Sequence, residues 1–286
     1  MRLTDFDVYK NLIKEKSGIV LGEDKSYLLE SRLTPVATQW GYPTLDAMTI
    51  ALQGVPEAKL INDIIEAMTT NETSFFRDIR PFDTFKDQVL PYLLENRIHE
   101  RAFKIWCAAA SSGQEPYSLA MILKEHENQF SRWRIDILGT DISNDILDQA
   151  RKGLYSQFEV QRGLPVKMLL EHFEQIEERW QISEQIKKMV QYRQFNLLDS
   201  MATMGTMDVI FCRNVLIYFD TQTKGDILKR MAAQLKDDGF LFMGGAETVL
   251  GITDEFAPVA DMRGVYAKKG SIHLVKKDSA AQSVGA

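Results

Sequence analysis

Apolar positions over residues 1–70 recur at helical spacing and never alternate as a strand would. Phe6, Tyr9 and Ile13 stand at i, i+3 and i+7, and Ser17-Gly18 closes that segment. Leu29, Leu33, Val36 and Trp40 repeat the pattern, with Pro35 expected to kink or divide the helix. Leu45, Met48 and Leu52 form a third stripe ended by Gly54. Leu60, Ile61, Ile64, Ile65 and Met68 form a fourth, opened by Pro56. A small all-helical domain over residues 1–70 is therefore expected.

After Thr69-Thr70-Asn71 the pattern changes. Short apolar runs at 103–108, 135–139, 190–195, 209–212 and 240–243 alternate with helical stretches around 116–127, 144–152 and 221–235. Such alternation predicts an α/β fold, a doubly wound and mostly parallel sheet covered on both faces. Residues 71–82 read as a linker and 83–275 as the sheet domain. The stretch 154–189 is too long for an ordinary strand–helix connection. It holds a helical piece at 165–173 and a strand-like run at 179–182, so a small inserted β-subdomain is expected at about 173–194. Residues 276–286 read as a frayed tail.

Composition narrows the class. Hydrophobic residues at 45% and charged residues at 26% are ordinary for a globular chain, which argues against disorder. No apolar run approaches the ~20 residues needed to span a bilayer. The first ten residues are charged and lead into no apolar segment, so a cytoplasmic protein without membrane insertion is expected. Cys107 and Cys212 fall inside predicted strands and read as reduced core thiols. The four histidines have no metal-ligand spacing, and no metal is expected. A net charge of −6 disfavours nucleic acid as a partner.

Parallel sheets bind ligands beyond the carboxyl ends of their strands. The first strand runs into Ala108-Ala109-Ala110-Ser111-Ser112-Gly113-Gln114-Glu115-Pro116. Small residues there permit close approach of a nucleotide-like cofactor, and Pro116 suits a helix start. Packing alone would also explain them. The G-x-G-x-x-G fingerprint is absent, which disfavours a nicotinamide dinucleotide. Asp141, ending the second strand, is placed to accept from both hydroxyls of a ribose, or simply to cap the next helix. Asn196-Leu197 follows the third strand, as an adenine-reading segment or a plain turn. Arg213-Asn214 follows the fourth, where a charge inside an apolar run needs a partner. Thr70–Asp78 crowds polar groups around Phe75-Phe76, as a packed interdomain linker or as a loop folded over the cofactor.

Together these segments resemble the CheR family of chemotaxis receptor methyltransferases. The matching strings are TTNETSFFRD (69–78), AAASSGQEPYS (108–118), GTDI (139–142), NLL (196–198) and FCRNVLIYFD (211–220), in order over nearly the whole chain. The resemblance implies a Rossmann-like methyltransferase domain binding S-adenosylmethionine, preceded by the helical domain. It also implies protein-glutamate O-methyltransferase activity, forming methyl esters on the cytoplasmic helical domains of chemotaxis receptors during signalling adaptation. Carried over to this sequence, it places Asn71, Thr73 and Arg77 over the cofactor and Glu115 and Asp141 on its polar groups. Asn196, Leu197, Arg213 and Asn214 complete the pocket, with Arg77 and Tyr218 near the transferable methyl as the catalytic pair. A monomer is expected.

Two departures qualify the resemblance. The family's first domain often presents a basic helix, whereas residues 1–70 here carry 7 Lys+Arg against 10 Asp+Glu. Where the family commonly has Gly-His-Ser-Glu, this chain has Gly244-Gly245-Ala246-Glu247. Some similar enzymes dock a receptor's C-terminal peptide on the inserted sheet through a longer, glycine-containing turn. The stretch 174–180 here has no glycine and a charged edge, so peptide-independent recognition is expected. The residues also leave open a catalytically weak, cofactor-binding regulator, or a methyltransferase acting on another substrate.

Overall fold

The computed structural model describes residues 3–274, so the expected tail at 276–286 lies outside the described residues. Helices α1 (Leu3–Ser17), α2 (Ser26–Gln39), α3 (Leu45–Leu52) and α4 (Ala58–Met68) form the first domain. Their facing stripes, Phe6, Tyr9, Ile13, Leu29, Leu33, Met48, Leu60 and Ile64, close into one core. Pro35 does not divide α2, which runs unbroken through it. Leu33, Val36 and Ala37 are buried on the packed face while Pro35 is exposed, so tertiary burial offsets the missing donor.

The second domain opens with α5 (Arg80–Thr84), a π-helical turn over Phe85–Val89, and α6 (Leu90–Asn96). Pro91 stands at the start of α6, and the wider turn before it relieves the clash a proline makes with the preceding turn. Then come β1 (Ala102–Cys107), α7 (Gln114–Glu125), β2 (Arg134–Asp141), α8 (Asn144–Lys152), β3 (Leu154–Ser156), α9 (Gln157–Gln161) and α10 (Val166–His172). The chain continues through β4 (Phe173–Ile176), β5 (Arg179–Ile182), α11 (Glu184–Lys187), β6 (Val190–Gln194), β7 (Met207–Cys212) and α12 (Thr221–Gln234). It finishes with β8 (Leu235–Met243), β9 (Phe256–Pro258) and β10 (Val265–Lys268).

Seven strands form the main sheet in the order β6-β2-β1-β7-β8-β10-β9. The first five are mutually parallel, whereas β10 runs antiparallel to β8 and to β9. Side chains alternate across it. Phe103, Ile105 and Cys107 of β1 join one core, and Trp106 joins the other together with Ile210, Cys212 and α12. The strand order reverses between β1 and β7, the topological switch point at which such sheets open a crevice.

A second sheet of three strands, β3-β5-β4, sits beside the main one. Its bounds correct the expected insertion at about 173–194. The small sheet spans 154–182, and 190–194 pairs in parallel with β2 at the edge of the main sheet. Local pattern did not reveal β3, because three residues carry too little periodicity to register. The short strands β9 and β10 escaped for the same reason.

Candidate functional site

One cavity of about 280 Å³ opens beyond the carboxyl ends of β1, β2, β6 and β7. Asn71, Thr73, Arg77, Glu115, Asp141, Asn196, Leu197, Arg213, Asn214 and Tyr218 all line it. Residues spread over nearly 150 positions of sequence thus share one wall.

The loop after β1 is shaped by two left-handed residues, Ser111 at φ 49° and Gly113 at φ 96°. A Cβ on Gly113 would meet the Tyr192 hydroxyl at 2.6 Å and the Tyr117 ring at 3.0 Å, so this turn accepts only glycine without displacement. The turn aims the Ser111 N–H at Asp141, donating to Oδ2 at 2.9 Å, while the Ser143 N–H donates to Oδ1 at 3.1 Å. With Ile142 N–H as a third backbone donor, the carboxylate still has acceptor capacity beyond these bonds for a ligand hydroxyl. Asp141 does not cap α8; the Ser143 hydroxyl does, accepting from Ile146 N–H at 3.2 Å. Burial raises the Asp141 pKa, against the backbone N–H groups that pull it down.

Arg213 is the hub. Its buried guanidinium donates to Glu115 Oε2 at 2.9 Å, to Asp78 Oδ2 at 2.7 Å and to the Arg77 carbonyl at 2.9 Å. It lies over the Phe82 ring at 5.7 Å. The charge foreseen inside an apolar run therefore has partners, and they tie the end of β7 to α7 and to the interdomain strap. Glu115 is buried, and desolvation raises its pKa despite the opposing pull of Arg213.

The strap packs its aromatics down and turns polar residues to the cavity. Phe75 is fully buried, edge-on to Tyr155 and Phe173 at 5.0 and 5.6 Å, and Phe76 packs edge-on to Phe82 at 5.3 Å. The aromatics anchor the strap while Asn71, Thr73 and Arg77 face the cavity. Phe76, Asp78 and Ile79 adopt positive φ of 48°, 68° and 52°, strain that persists because its surroundings fix it. Ser118 Oγ accepts from Phe76 N–H, and Asp78 is held by Arg213. The Ser111 hydroxyl donates to Asn71 O at 2.8 Å, tying the strap to the β1 loop.

Asn196 uses its side chain for two backbone contacts, one local and one in the first domain. Its Oδ1 accepts from Leu198 N–H at 3.0 Å, and its Nδ2 donates to Lys16 O of the first domain at 2.6 Å. Tyr218 ends a 3-10 turn, Leu216–Tyr218, and its carbonyl accepts from Val20 N–H at 2.9 Å. Cys107 and Cys212 are fully buried, and burial pushes both thiols well above their usual pKa, which suits core packing rather than nucleophilic attack.

Sequence reasoning missed one wall entirely. Val20, Leu21 and Leu28 of the helical domain line the same cavity. The first domain is seated there by Lys14 against Asp220 at 2.9 Å and by Glu66 accepting from Ser143 Oγ and Asn144 N–H at 2.5 and 2.7 Å. Nothing in the local pattern of Val20-Leu21 marks it as a site.

Comparison with known proteins matches this two-part layout. Residues 4–69 match the family described as "CheR methyltransferase, all-alpha domain", and residues 71–265 match "CheR methyltransferase, SAM binding domain". The chain belongs to the CheR methyltransferase family. It is 38% identical over 265 residues to "Chemotaxis protein methyltransferase Cher2" of Pseudomonas putida, covering 91% of this chain and 96% of that protein. Similarity to "Chemotaxis protein methyltransferase 1" of Pseudomonas aeruginosa has the same extent, 38% with coverages of 91% and 96%. The "Chemotaxis protein methyltransferase" of Borreliella burgdorferi is 34% identical over 249 residues, covering 85% of this chain and 86% of that protein. The fold is accordingly that of the family's methyltransferases, a helical domain joined to a Rossmann-like cofactor-binding domain. Among the described residues no helix is long and apolar enough to cross a membrane.

Proposed function

We propose that this methyltransferase esterifies glutamate side chains on the cytoplasmic helical domains of chemotaxis receptors, using S-adenosylmethionine. The observation that carries it is the convergence of Asn71, Thr73, Arg77, Glu115, Asp141 and Tyr218 on one cavity at the sheet's switch point. The cavity fits such a cofactor. Its β1 side is built from small residues, Ala108, Ala109 and Ser111, that allow close approach. Asp141 keeps acceptor capacity for a ribose, and Leu197 and Phe219 supply apolar wall.

The chemistry supplied by bound S-adenosylmethionine is an electrophilic methyl group. What remains for the chain is positioning. A glutamate with a reference pKa near 4.3 is already ionised at neutral pH, so no general base is required. Among the described residues the cavity is lined by neither histidine nor cysteine. Arg77 is assigned to orienting the acceptor carboxylate, and Tyr218 to shaping the methyl-transfer position. Holding reacting groups in line can supply up to ~7–11 kcal/mol of barrier reduction. The test is incubation with methyl-labelled cofactor and receptor cytoplasmic fragments. Base-labile label released as methanol is expected; stable label, or cofactor binding without transfer, would reject the reading.

Recognition is proposed to be independent of a receptor C-terminal peptide. In support, the β4–β5 connection is a two-residue turn, Glu177-Glu178, with Glu177 at φ 53°. Its outer strand β4 is only four residues long and carries Glu174, the kind of short, charged edge that resists strand addition. Titration with C-terminal receptor pentapeptides should give no heat, and removing the receptor tail should leave methylation rates unaltered. Micromolar binding would reject it.

Cofactor affinity is expected to fall with acid. Both Glu115 and Asp141 have raised folded-state pKa values, so each protonates above its ordinary 4.5 or 3.8 as pH is lowered. A protonated Asp141 accepts ribose hydroxyls poorly, and a protonated Glu115 no longer attracts a cationic group. The same shifts stabilise the unliganded fold below the ordinary values, and that contribution is lost as pH rises through the raised ones. Loss of binding on acidification through these two groups is therefore not unfolding. Calorimetry with S-adenosylhomocysteine from neutral pH down to the ordinary carboxylate range, beside melting temperatures, checks this. Constant affinity across that range would contradict it.

A further inference from the structure

Glu247 lies outside the cavity wall, yet its carboxylate gathers four backbone donors. Asn214 N–H and Gly244 N–H donate to Oε2 at 2.7 and 2.8 Å, and Val215 N–H and Leu216 N–H donate to Oε1 at 3.1 and 2.8 Å. Three consecutive amides after β7 and the first amide after β8 thus converge on one side chain. Asn214 sits at φ 57°, a conformation a non-glycine residue keeps only when held. Gly244 is required for the approach: a Cβ there would stand 2.6 Å from Glu247 Oε2 and 3.0 Å from Asn214 N. The 3-10 turn that presents Tyr218 begins at Leu216, the last of the amides Glu247 holds.

We infer that Glu247 is a positioning residue for methyl transfer, fixing the segment from Asn214 to Tyr218 against the end of β8. It touches neither cofactor nor acceptor and acts through the turn. A carboxylate suits the task because it only accepts, and charge-assisted bonds to backbone N–H groups are about twice as strong as neutral ones. An amide in its place would set a donor against two of the four donors. This inference rests on the reading that Tyr218 stands at the transfer position.

The experiment compares wild type, Glu247→Gln and Glu247→Ala as full-length protein. Amide hydrogen exchange should quicken within residues 213–219 and stay unaltered elsewhere. With receptor fragments, kcat should fall about 10- to 100-fold while KM for the fragment stays within about twofold, the signature of misplacement rather than lost binding. In a Tyr218→Ala background, Glu247→Gln should cost much less than it does alone. Unchanged exchange in 213–219, exchange quickened uniformly across the chain, or losses that simply add in the double variant would each overturn the inference. The exchange comparison needs no substrate, so it tests whether Glu247 holds residues 213–219 even if the receptor reading itself fails.

Discussion

Replacing Arg77 with alanine is expected to lower receptor methylation turnover by about 100-fold while shifting the melting temperature by about 2 °C at most. The two effects separate because of how the residue is held. Its guanidinium makes one hydrogen bond to the chain, Nη1 to Glu72 O at 2.8 Å, at an exposed position. Its backbone carbonyl, which Arg213 does use, survives the substitution. Exposed contacts of this kind are usually worth less than about 0.5 kcal/mol of stability. What the variant removes is a cation on the cavity wall, and with it the group proposed to orient the acceptor carboxylate. A fixed cation helps only if it does not grip the ground state as tightly as the transition state, so kcat rather than KM should carry the loss. Steady-state kinetics beside thermal melts decide it. Near-normal turnover would remove Arg77 from the mechanism.

Asp141→Ala is expected to weaken both S-adenosylmethionine and S-adenosylhomocysteine by about 10- to 150-fold, from a loss of roughly 1.5–3 kcal/mol. Both ligands share the ribose, and the proposed contact does not involve the methyl, so the ratio of the two affinities should stay constant. The substitution also leaves the Ser111 and Ser143 amides without their acceptor. Asp141→Asn is therefore the companion variant, since its one oxygen still accepts. If calorimetry finds Asp141→Ala unaltered in affinity for both ligands, the ribose assignment is wrong.

Much of the architecture was legible in the chain itself. The helical stripes of residues 1–70 repeat every three or four positions because each helix buries a single face, and that period is local. The alternation of apolar runs with helical stretches after residue 71 announced a parallel sheet, and ligand sites on such sheets lie at strand ends. For that reason Asp141, Asn196, Arg213 and Asn214 could be singled out before any coordinates, and all four line the cavity. The strap was harder. Buried Phe75 and Phe76 and the cavity-lining polar residues around them have no common period, so sequence supplied two rival readings, and the fold shows the aromatics packed down with Asn71, Thr73 and Arg77 on the cavity wall.

Pairings across long separations were decided only by the tertiary structure. Arg213 meets Glu115 across 98 positions, and Asn196 meets Lys16 across 180, distances at which no periodicity links the partners. Pro35 looked like a break because local chemistry disfavours it, yet burial of one face of α2 outweighed the missing hydrogen bond. Gly244-Gly245-Ala246-Glu247 could be seen only as a departure from a familiar string. That its last residue gathers amides from two strand ends follows from β7 and β8 lying side by side in register. The longer elements and the side chains at each strand end were readable locally, because periodicity and side-chain type are local properties, whereas β3, β9 and β10 were too short to show a period. The closing of the cavity by Val20, Leu21 and Leu28 was decided by the packing of one domain on the other, and the partners of Arg213 by packing within the second domain.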